Sequence, residues 1–106
     1  MDQTLRVEVE LSIGTVVLRV LGEIDLTNCD HLRDAIDTNR ALTTIVDLSG
    51  TDFMDSSGLA ALIIARQSVD EIGGSLVLRR PSSSIRLLLE RSGLDFLLSD
   101  DEPDAG

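Results

Sequence analysis

The spacing of apolar and charged residues predicts strands at the start of this chain and helices between later strands. Residues 5–11 alternate between apolar and charged side chains, which is typical of a β-strand with one solvated face. Residues 15–21 are apolar on both faces, as expected of a central strand. The turn at residues 12–14 favours an antiparallel hairpin of these two strands. Short apolar runs at 43–48 and 76–78 predict a third and a fourth strand.

Three further segments have helical spacing. Residues 27–30 match a capping box with Thr27 as the N-cap, and apolar residues follow at helical intervals. A second helix is predicted from about residue 57 to residue 72, where a pair of glycines ends it. A third helix is predicted within residues 81–93. Residues 94–98 form a last apolar patch that fits either a strand or a short helix.

The order strand, strand, helix, strand, helix, strand, helix predicts an α/β domain. Strand–helix–strand units have right-handed crossovers and parallel strand pairing. The loops after the second and third strands, residues 23–27 and 49–57, should therefore emerge at the same edge of the sheet. Open α/β sheets usually bind ligands and partners at this edge. We expect Asp25 and the Asp55–Ser57 cluster to be neighbours in space, although they are far apart in sequence.

The segment Phe53-Met54-Asp55-Ser56-Ser57-Gly58-Leu59 is the most informative part of the chain. An apolar pair that looks buried precedes an acid, two hydroxyls and a glycine. The layout puts Ser56 and Ser57 at the start of a helix, where backbone N–H groups point outward without intrahelical partners. A phosphate on Ser57 would meet those donors and the positive end of the helix dipole. The segment therefore favours a site that receives a charge over a site of catalysis.

The simpler interpretation is that the two serines only cap the helix, as Ser and Asp often do. Two features favour a functional role for Ser57. Asp55 and Ser56 can both serve as the cap, which leaves Ser57 spare. Gly58 has no side chain beside the hydroxyl, so another protein's active site could approach it.

The net charge limits the partners that this chain can bind. The formal net charge is −10 and all nine basic residues are arginine. Nucleic acid requires a basic face that neutralises phosphates, and an anionic membrane surface requires the same, so both are excluded as partners. The absence of lysine also excludes a P-loop, a Schiff-base enzyme and a response-regulator receiver with its usual active-site lysine.

No constellation for catalysis or metal binding is visible. A triad at Ser57 would need a nearby imidazole, but the single histidine, His31, is expected to be an exposed residue of the first helix. The Gly-x-Ser-x-Gly elbow of many hydrolases is missing. Asp47, Asp52 and Asp55 have spacings that fit no calcium loop and are expected to be solvated or capping carboxylates. We therefore expect no cofactor, no metal and no enzymatic activity.

The remaining features concern location and the ends of the chain. Cys29 is the only cysteine, so the chain cannot form an internal disulfide. No signal peptide and no apolar run of the ~20 residues that a membrane helix needs are visible, so we expect a cytoplasmic protein.

Arg79-Arg80 is expected to be solvated surface. Residues 100–106 are acidic and lack large apolar groups, which predicts a disordered tail after one domain in residues 1–99.

The chain resembles the STAS domain family, specifically the bacterial anti-sigma factor antagonists, over residues 5–99. The resemblance rests on Gly22-Glu23-Ile24-Asp25 at the end of the second strand and on residues 53–59 before the second helix. Gly73-Gly74 and Arg91-Ser92-Gly93-Leu94 add to it. It implies a small mixed sheet of four to five strands with helices packed mainly on one face.

The resemblance also implies a function. Such a protein binds an anti-sigma factor that is also a serine kinase, and thereby frees a sigma factor. The kinase phosphorylates the second serine of the Asp-Ser-Ser-Gly motif, which is Ser57 here, and the phosphorylated protein no longer binds the kinase. A metal-dependent phosphatase of the PP2C type restores it. The implied partner-binding surface comprises Asp25, Thr27, Asp55, Ser56, Ser57 and Gly58.

Two other classes of function remain open at this point. One is a regulatory or structural STAS module, such as the small partner of a lipid-transport ATPase complex, in which the serine is not phosphorylated. The other is an enzyme that uses Ser57, which the missing base disfavours. The intact Asp-Ser-Ser-Gly motif and the acidic turn at Asp25 favour the sigma pathway.

Overall fold

Four strands form one mixed sheet in the computed structural model, which describes residues 5–99. The strands are β1 (Arg6–Ser12), β2 (Thr15–Ile24), β3 (Thr43–Met54) and β4 (Ser75–Arg79), and they lie in this order across the sheet. β1 and β2 pair antiparallel, whereas β2–β3 and β3–β4 pair parallel. The predicted hairpin and the parallel crossovers are therefore confirmed. The acidic segment 100–106, predicted to be a disordered tail, lies outside the described residues.

Three helices connect and follow the parallel strands: α1 (Cys29–Asn39), α2 (Ser56–Glu71) and α3 (Ser83–Arg91). The last apolar patch forms a short 3-10 helix, Asp95–Leu97, and not a full strand. Leu98 then makes a single parallel bridge to Leu78 at the β4 edge. No helix within residues 5–99 is long and apolar enough to cross a membrane.

The hydrophobic core lies on one face of the sheet. Along β2, β3 and β4 the fully buried apolar side chains occupy alternate positions, so they point to the same side. They form one cluster with side chains from all three helices, which means that the helices pack on this face. Its central members are Val16, Leu18, Val20, Val46, Leu48, Leu76 and Leu78 from the strands, with Leu32, Ile36, Leu62, Val69, Ile85 and Leu89 from the helices.

β3 is six residues longer than the predicted third strand, because residues 49–54 pair with β2 and do not form a loop. Two register shifts give β3 two more residues than β2 between their paired ends. Gly50 lies at one shift, where a Cβ would lie 2.5 Å from Leu21 Cδ2 and 3.3 Å from the Val20 carbonyl oxygen. The buried Thr51 hydroxyl donates to the Val20 carbonyl oxygen at 2.9 Å, which compensates for the irregular ladder. The extra length carries the Asp-Ser-Ser-Gly segment to the edge of the sheet.

Asp47 is not a solvated carboxylate, as the sequence suggested, but is completely buried within the sheet. Its Oδ2 lies 3.2 Å from Arg79 Nη2 on β4, and its Oδ1 accepts the Ser49 N–H at 2.9 Å. Burial raises the pKa of Asp47, but the bonds from Ser49 and the positive charge of Arg79 outweigh this effect, so the net pKa is lowered from 3.8. Arg79 is accordingly a structural partner and not simply a solvated surface residue.

Candidate partner-docking site

The Asp25 turn and the Asp55–Ser57 segment lie side by side at one edge of the sheet. β2 and β3 end level with each other, because Ile24 pairs with Met54. The backbone N–H of Asp55 donates to the Ile24 carbonyl oxygen at 3.2 Å, so the two chains remain in contact as they leave the sheet. The neighbourhood predicted from topology is therefore confirmed.

Asp25 organises the turn that follows β2. Its Oδ1 accepts the Thr27 hydroxyl at 2.6 Å and the Thr27 N–H at 3.0 Å. The Asn28 side chain closes the turn from the other direction, with Oδ1 accepting from the Asp25 N–H at 2.9 Å and Nδ2 donating to the Glu23 carbonyl oxygen at 2.8 Å. The Thr27 hydroxyl bond is the main cause of a lowered pKa of Asp25. The turn thus holds a carboxylate in its ionised form at this edge.

Thr27 is not the N-cap of α1, which corrects the capping-box prediction. The cap position is Asn28, whose side chain makes no capping bond. The Asp25 carbonyl oxygen instead accepts the Cys29 N–H at 2.9 Å, while the Thr27 hydroxyl is committed to the Asp25 carboxylate. An Asx turn forms between residues that are close in sequence. This favours the bond from the Thr27 hydroxyl to Asp25 over a capping bond to the amides of α1. Thr27 remains exposed beside the docking edge.

Asp55 is the N-cap of α2 and occupies the amides at the start of this helix. Its Oδ1 accepts the Ser57 N–H at 2.9 Å and the Gly58 N–H at 3.3 Å. Its carbonyl oxygen accepts from Gly58 at 3.0 Å and from Leu59 at 3.2 Å. The expectation that unpaired donors await a phosphate on Ser57 is therefore wrong for these three amides, because an acidic cap has already filled them.

The two serines differ in exposure. Ser56 is the first residue of α2 and is exposed, whereas Ser57 is half-buried. Since Asp55 alone caps the helix, neither serine hydroxyl is needed for capping. Within residues 5–99 no hydrogen bond joins Ser57 to His31, which is exposed in the first turn of α1. Among the described residues, Ser57 and His31 therefore do not form the hydrogen-bonded pair of a hydrolase triad.

Glycine is needed at position 58 because the interior has no room for a side chain there, and not because it gives a partner access to Ser57. The residue is buried, and a Cβ at this position would overlap Met54 Cγ and lie 2.9 Å from Ile24 Cγ2. The first turn of α2 therefore packs directly on the ends of β2 and β3. Gly58 acts on the docking edge by setting the position of Ser57 and not by lining the surface.

Two exposed apolar side chains near this edge were missed by the sequence pattern. Phe53 and Met54 look like a buried pair, but only Met54 is buried, and Phe53 is 50% exposed. Successive residues of a strand point to opposite faces, which explains the difference. Leu26, in the Asp25 turn, is 75% exposed. Strand alternation applied through residue 54 would have identified Phe53, but nothing in the local sequence identifies Leu26.

A comparison with protein-family models matches residues 6–105 to the STAS domain. This match spans most of the chain, so the protein belongs to the STAS domain family, as its resemblance implied. The anti-sigma F factor antagonist of Lysinibacillus sphaericus is 33% identical over 84 residues, which cover 76% of this chain and 72% of that protein.

Solved structures agree with this assignment. SpoIIAA, an anti-sigma factor antagonist in its unphosphorylated form, has a TM-score of 0.78 at 27% identity, with 94% of this chain and 90% of that chain covered. The phosphorylated form of SpoIIAA from Bacillus has a TM-score of 0.70 at 27% identity, with coverage of 94% and 93%. A mixed sheet of four strands with three helices is thus the fold of this chain and of these relatives.

Proposed function

We propose that this protein is an anti-sigma factor antagonist controlled by phosphorylation of Ser57. In its unphosphorylated form it binds an anti-sigma factor that is also a serine kinase, and thereby releases a sigma factor. Phosphorylation of Ser57 ends this binding, and a PP2C-like phosphatase restores it. The protein acts by binding, in the cytoplasm, and not as an enzyme.

One observation carries this proposal: an acidic turn and a serine at a helix start share one edge of the sheet. Asp25 and Asp55 follow two paired strand ends, and Ser57 follows two residues after Asp55. The curated relative and the solved relatives are named as anti-sigma factor antagonists, and one of the solved structures is of a phosphorylated form. These findings support binding that is controlled by phosphorylation in this chain, and the exposed edge next to Ser57 makes this serine the site that we propose.

The docking surface that we propose is formed by Asp25, Thr27, Asp55, Ser56 and Ser57, with Gly58 buried beneath it and setting the position of the helix. The exposed Leu26 adds apolar contact area to this surface. Aromatic and large apolar side chains near the centre of an interface usually contribute most of the binding energy, whereas the charged rim controls specificity and association rate.

Phosphorylation switches this surface by charge. A phosphate adds about 1.5 to 2 negative charges at neutral pH. On Ser57 these charges lie close to the Asp55 carboxylate and at the same edge of the sheet as Asp25, at an interface that must lose water on binding. A buried, unpaired charge costs about 3 kcal/mol or more, whereas a loss of only about 2.7 kcal/mol weakens binding a hundredfold. Phosphorylation of Ser57 alone is therefore sufficient for dissociation.

Intact-mass measurement tests the proposal. The protein is incubated with ATP and each candidate anti-sigma kinase from the same genome, and the product is mapped by fragmentation. We expect one added phosphate on Ser57. Ser57→Ala should abolish the modification, and Ser56→Ala, which removes the adjacent hydroxyl, should retain it.

The same samples provide a control for binding. Both alanine variants should still bind the kinase, because neither hydroxyl caps α2. Modification of Ser56 in place of Ser57, or full modification of the Ser57→Ala variant, would refute the assignment of the site.

A further inference from the structure

The start of α2 has little capacity left to accept another anion. Asp55 supplies the acceptors for the N–H groups of Ser57, Gly58 and Leu59 through its Oδ1 and its carbonyl oxygen. The side chains of Met54 and Ile24 pack against Gly58. The first turn of α2 therefore cannot move toward the core and expose further N–H donors. A phosphate on Ser57 can reach these amides only if it displaces a carboxylate.

The turns and element ends around Ser57 provide several acids, no lysine or arginine, and one exposed histidine. Glu23 lies at the end of β2, Asp25 in the turn that follows, and Asp30 in the first turn of α1. Asp52 lies near the end of β3, and Asp55 is the N-cap of α2. The first turn of α2 contains no acidic or basic residue, and the first turn of α1 also contains the exposed His31.

The nearest arginines on the two helices are engaged elsewhere. Arg33 of α1 pairs with Asp30 at 3.3 Å and lines a cleft with Ile64, seven residues beyond Ser57 on α2. Such a separation is about 10 Å along a helix. Arg66, the first arginine of α2, has its guanidinium carbon 5.1 Å from the centre of the Phe96 ring.

We infer that a phosphate on Ser57 is not neutralised by the fold, and that the Asp55 carboxylate keeps it directed outward as an exposed dianion on the docking surface. This inference rests on the phosphorylation of Ser57 proposed above and adds a regulatory role for Asp55. The cap blocks the amides that would otherwise bind the phosphate, and its own charge repels the phosphate. The modification therefore affects the partner strongly and the body of the domain weakly.

The pKa of the second ionisation of the phosphate measures this repulsion between the phosphate and the Asp55 carboxylate. A free phosphoserine loses its second proton at about pH 6. Helix amides and the helix dipole would lower this pKa, whereas a carboxylate at close range raises it. Two unit charges ~6 Å apart in an environment between water and a protein surface change the pKa by about 0.5 to 2 units.

The test introduces phosphoserine at position 57 during translation, so it does not depend on finding the kinase. The pKa of the phosphate is measured by ³¹P NMR in three backgrounds: the natural sequence, Asp55→Asn and Asp52→Asn. Asn is a good N-cap, so Asp55→Asn retains the helix start but removes the charge. Asp52→Asn removes one exposed acid near the end of β3, three residues before Asp55, and is the matched control. Asp55→Ser provides a second neutral cap if the Asn variant does not fold.

We expect a pKa above 6 in the natural sequence, a decrease of at least half a unit in Asp55→Asn, and a much smaller change in Asp52→Asn. A pKa below 6 that is insensitive to Asp55→Asn would overturn the inference, because it would mean that the helix amides bind the phosphate. Equal decreases in both variants would also overturn it, since they would indicate only the general acidity of the surface. Failure of the phosphorylated protein to lose its anti-sigma partner would refute the proposed function and leave these pKa values unaffected.

Discussion

Replacing Gly58 by alanine should destabilise the protein, although alanine is the better helix former. In an unobstructed helix this change stabilises by up to about 1 kcal/mol. Here the new Cβ would overlap Met54 Cγ and lie 2.9 Å from Ile24 Cγ2. Overpacking of a well-packed core costs about 1 to 3 kcal/mol. Because both contacts of the new Cβ are far shorter than van der Waals contact, we expect the clash to exceed the gain in propensity, with a net loss of up to about 2 kcal/mol.

Thermal unfolding measures this balance directly. For a domain of this size 1 kcal/mol shifts Tm by about 4 to 8 °C, so Gly58→Ala should lower Tm by up to about 16 °C. Shortening Met54 to alanine opens the space that the new methyl group needs. Relative to the Met54→Ala background, Gly58→Ala should then cost much less or become stabilising. Ser56→Ala, on the exposed side of the same turn, should change Tm little.

An increase in Tm for Gly58→Ala in the natural background would refute this reasoning. It would mean that the first turn of α2 does not pack on the ends of β2 and β3 as described. The position of Ser57 would then be less firmly fixed than the docking account requires.

Three further predictions follow from the buried ion pair, the acidic turn and the exposed apolar residue. Asp47→Asn should cost about 2 kcal/mol in urea unfolding at pH 7, since it leaves a partly buried Arg79 unpaired. Because folding lowers the pKa of Asp47, this difference should be complete above pH 3.8 and shrink as the pH falls further. Thr27→Val should raise the pKa of Asp25 in an NMR titration, since the hydroxyl bond is the main cause of its lowering. Leu26→Ala should weaken binding of the anti-sigma factor about 5- to 30-fold without lowering Tm.

Matched controls are available for two of these variants. Leu42 is 60% exposed and precedes β3, at the end of the sheet opposite the docking edge, so Leu42→Ala should leave anti-sigma binding unchanged. Thr38 is exposed on α1, and Thr38→Val should not affect the titration of Asp25. An equal loss of binding in Leu26→Ala and Leu42→Ala would argue against a specific apolar contact at the turn. An unchanged pKa of Asp25 in Thr27→Val would argue against the hydroxyl bond.

The sequence predicted the arrangement of the elements well because that arrangement depends on local periodicity and on the handedness of crossovers. Alternation of apolar and charged residues located β1, and apolar character on both faces located the internal strand β2. The right-handed crossover rule then brought Asp25 next to Asp55 without any knowledge of side-chain contacts.

Two of the errors arose where the deciding partner is distant in sequence. Residues 49–54 are polar and contain a glycine, and only their pairing with β2 makes them a strand. Asp47 looks solvated until Arg79 from β4 lies beside it. At the start of α2 the sequence offered two possible caps, and local pattern alone could not decide that Asp55 would fill the amides and leave Ser56 exposed.

The affinity of the anti-sigma factor for the unmodified protein and for the protein carrying phosphoserine at position 57 tests the central claim most directly. Titration calorimetry in the presence of ADP, from which the kinase cannot phosphorylate Ser57, gives both dissociation constants under the same conditions. We predict that phosphoserine weakens binding at least a hundredfold, while the circular dichroism spectrum stays the same. Equal affinities for the two forms would contradict the account, because the charge on Ser57 would then have no effect on docking.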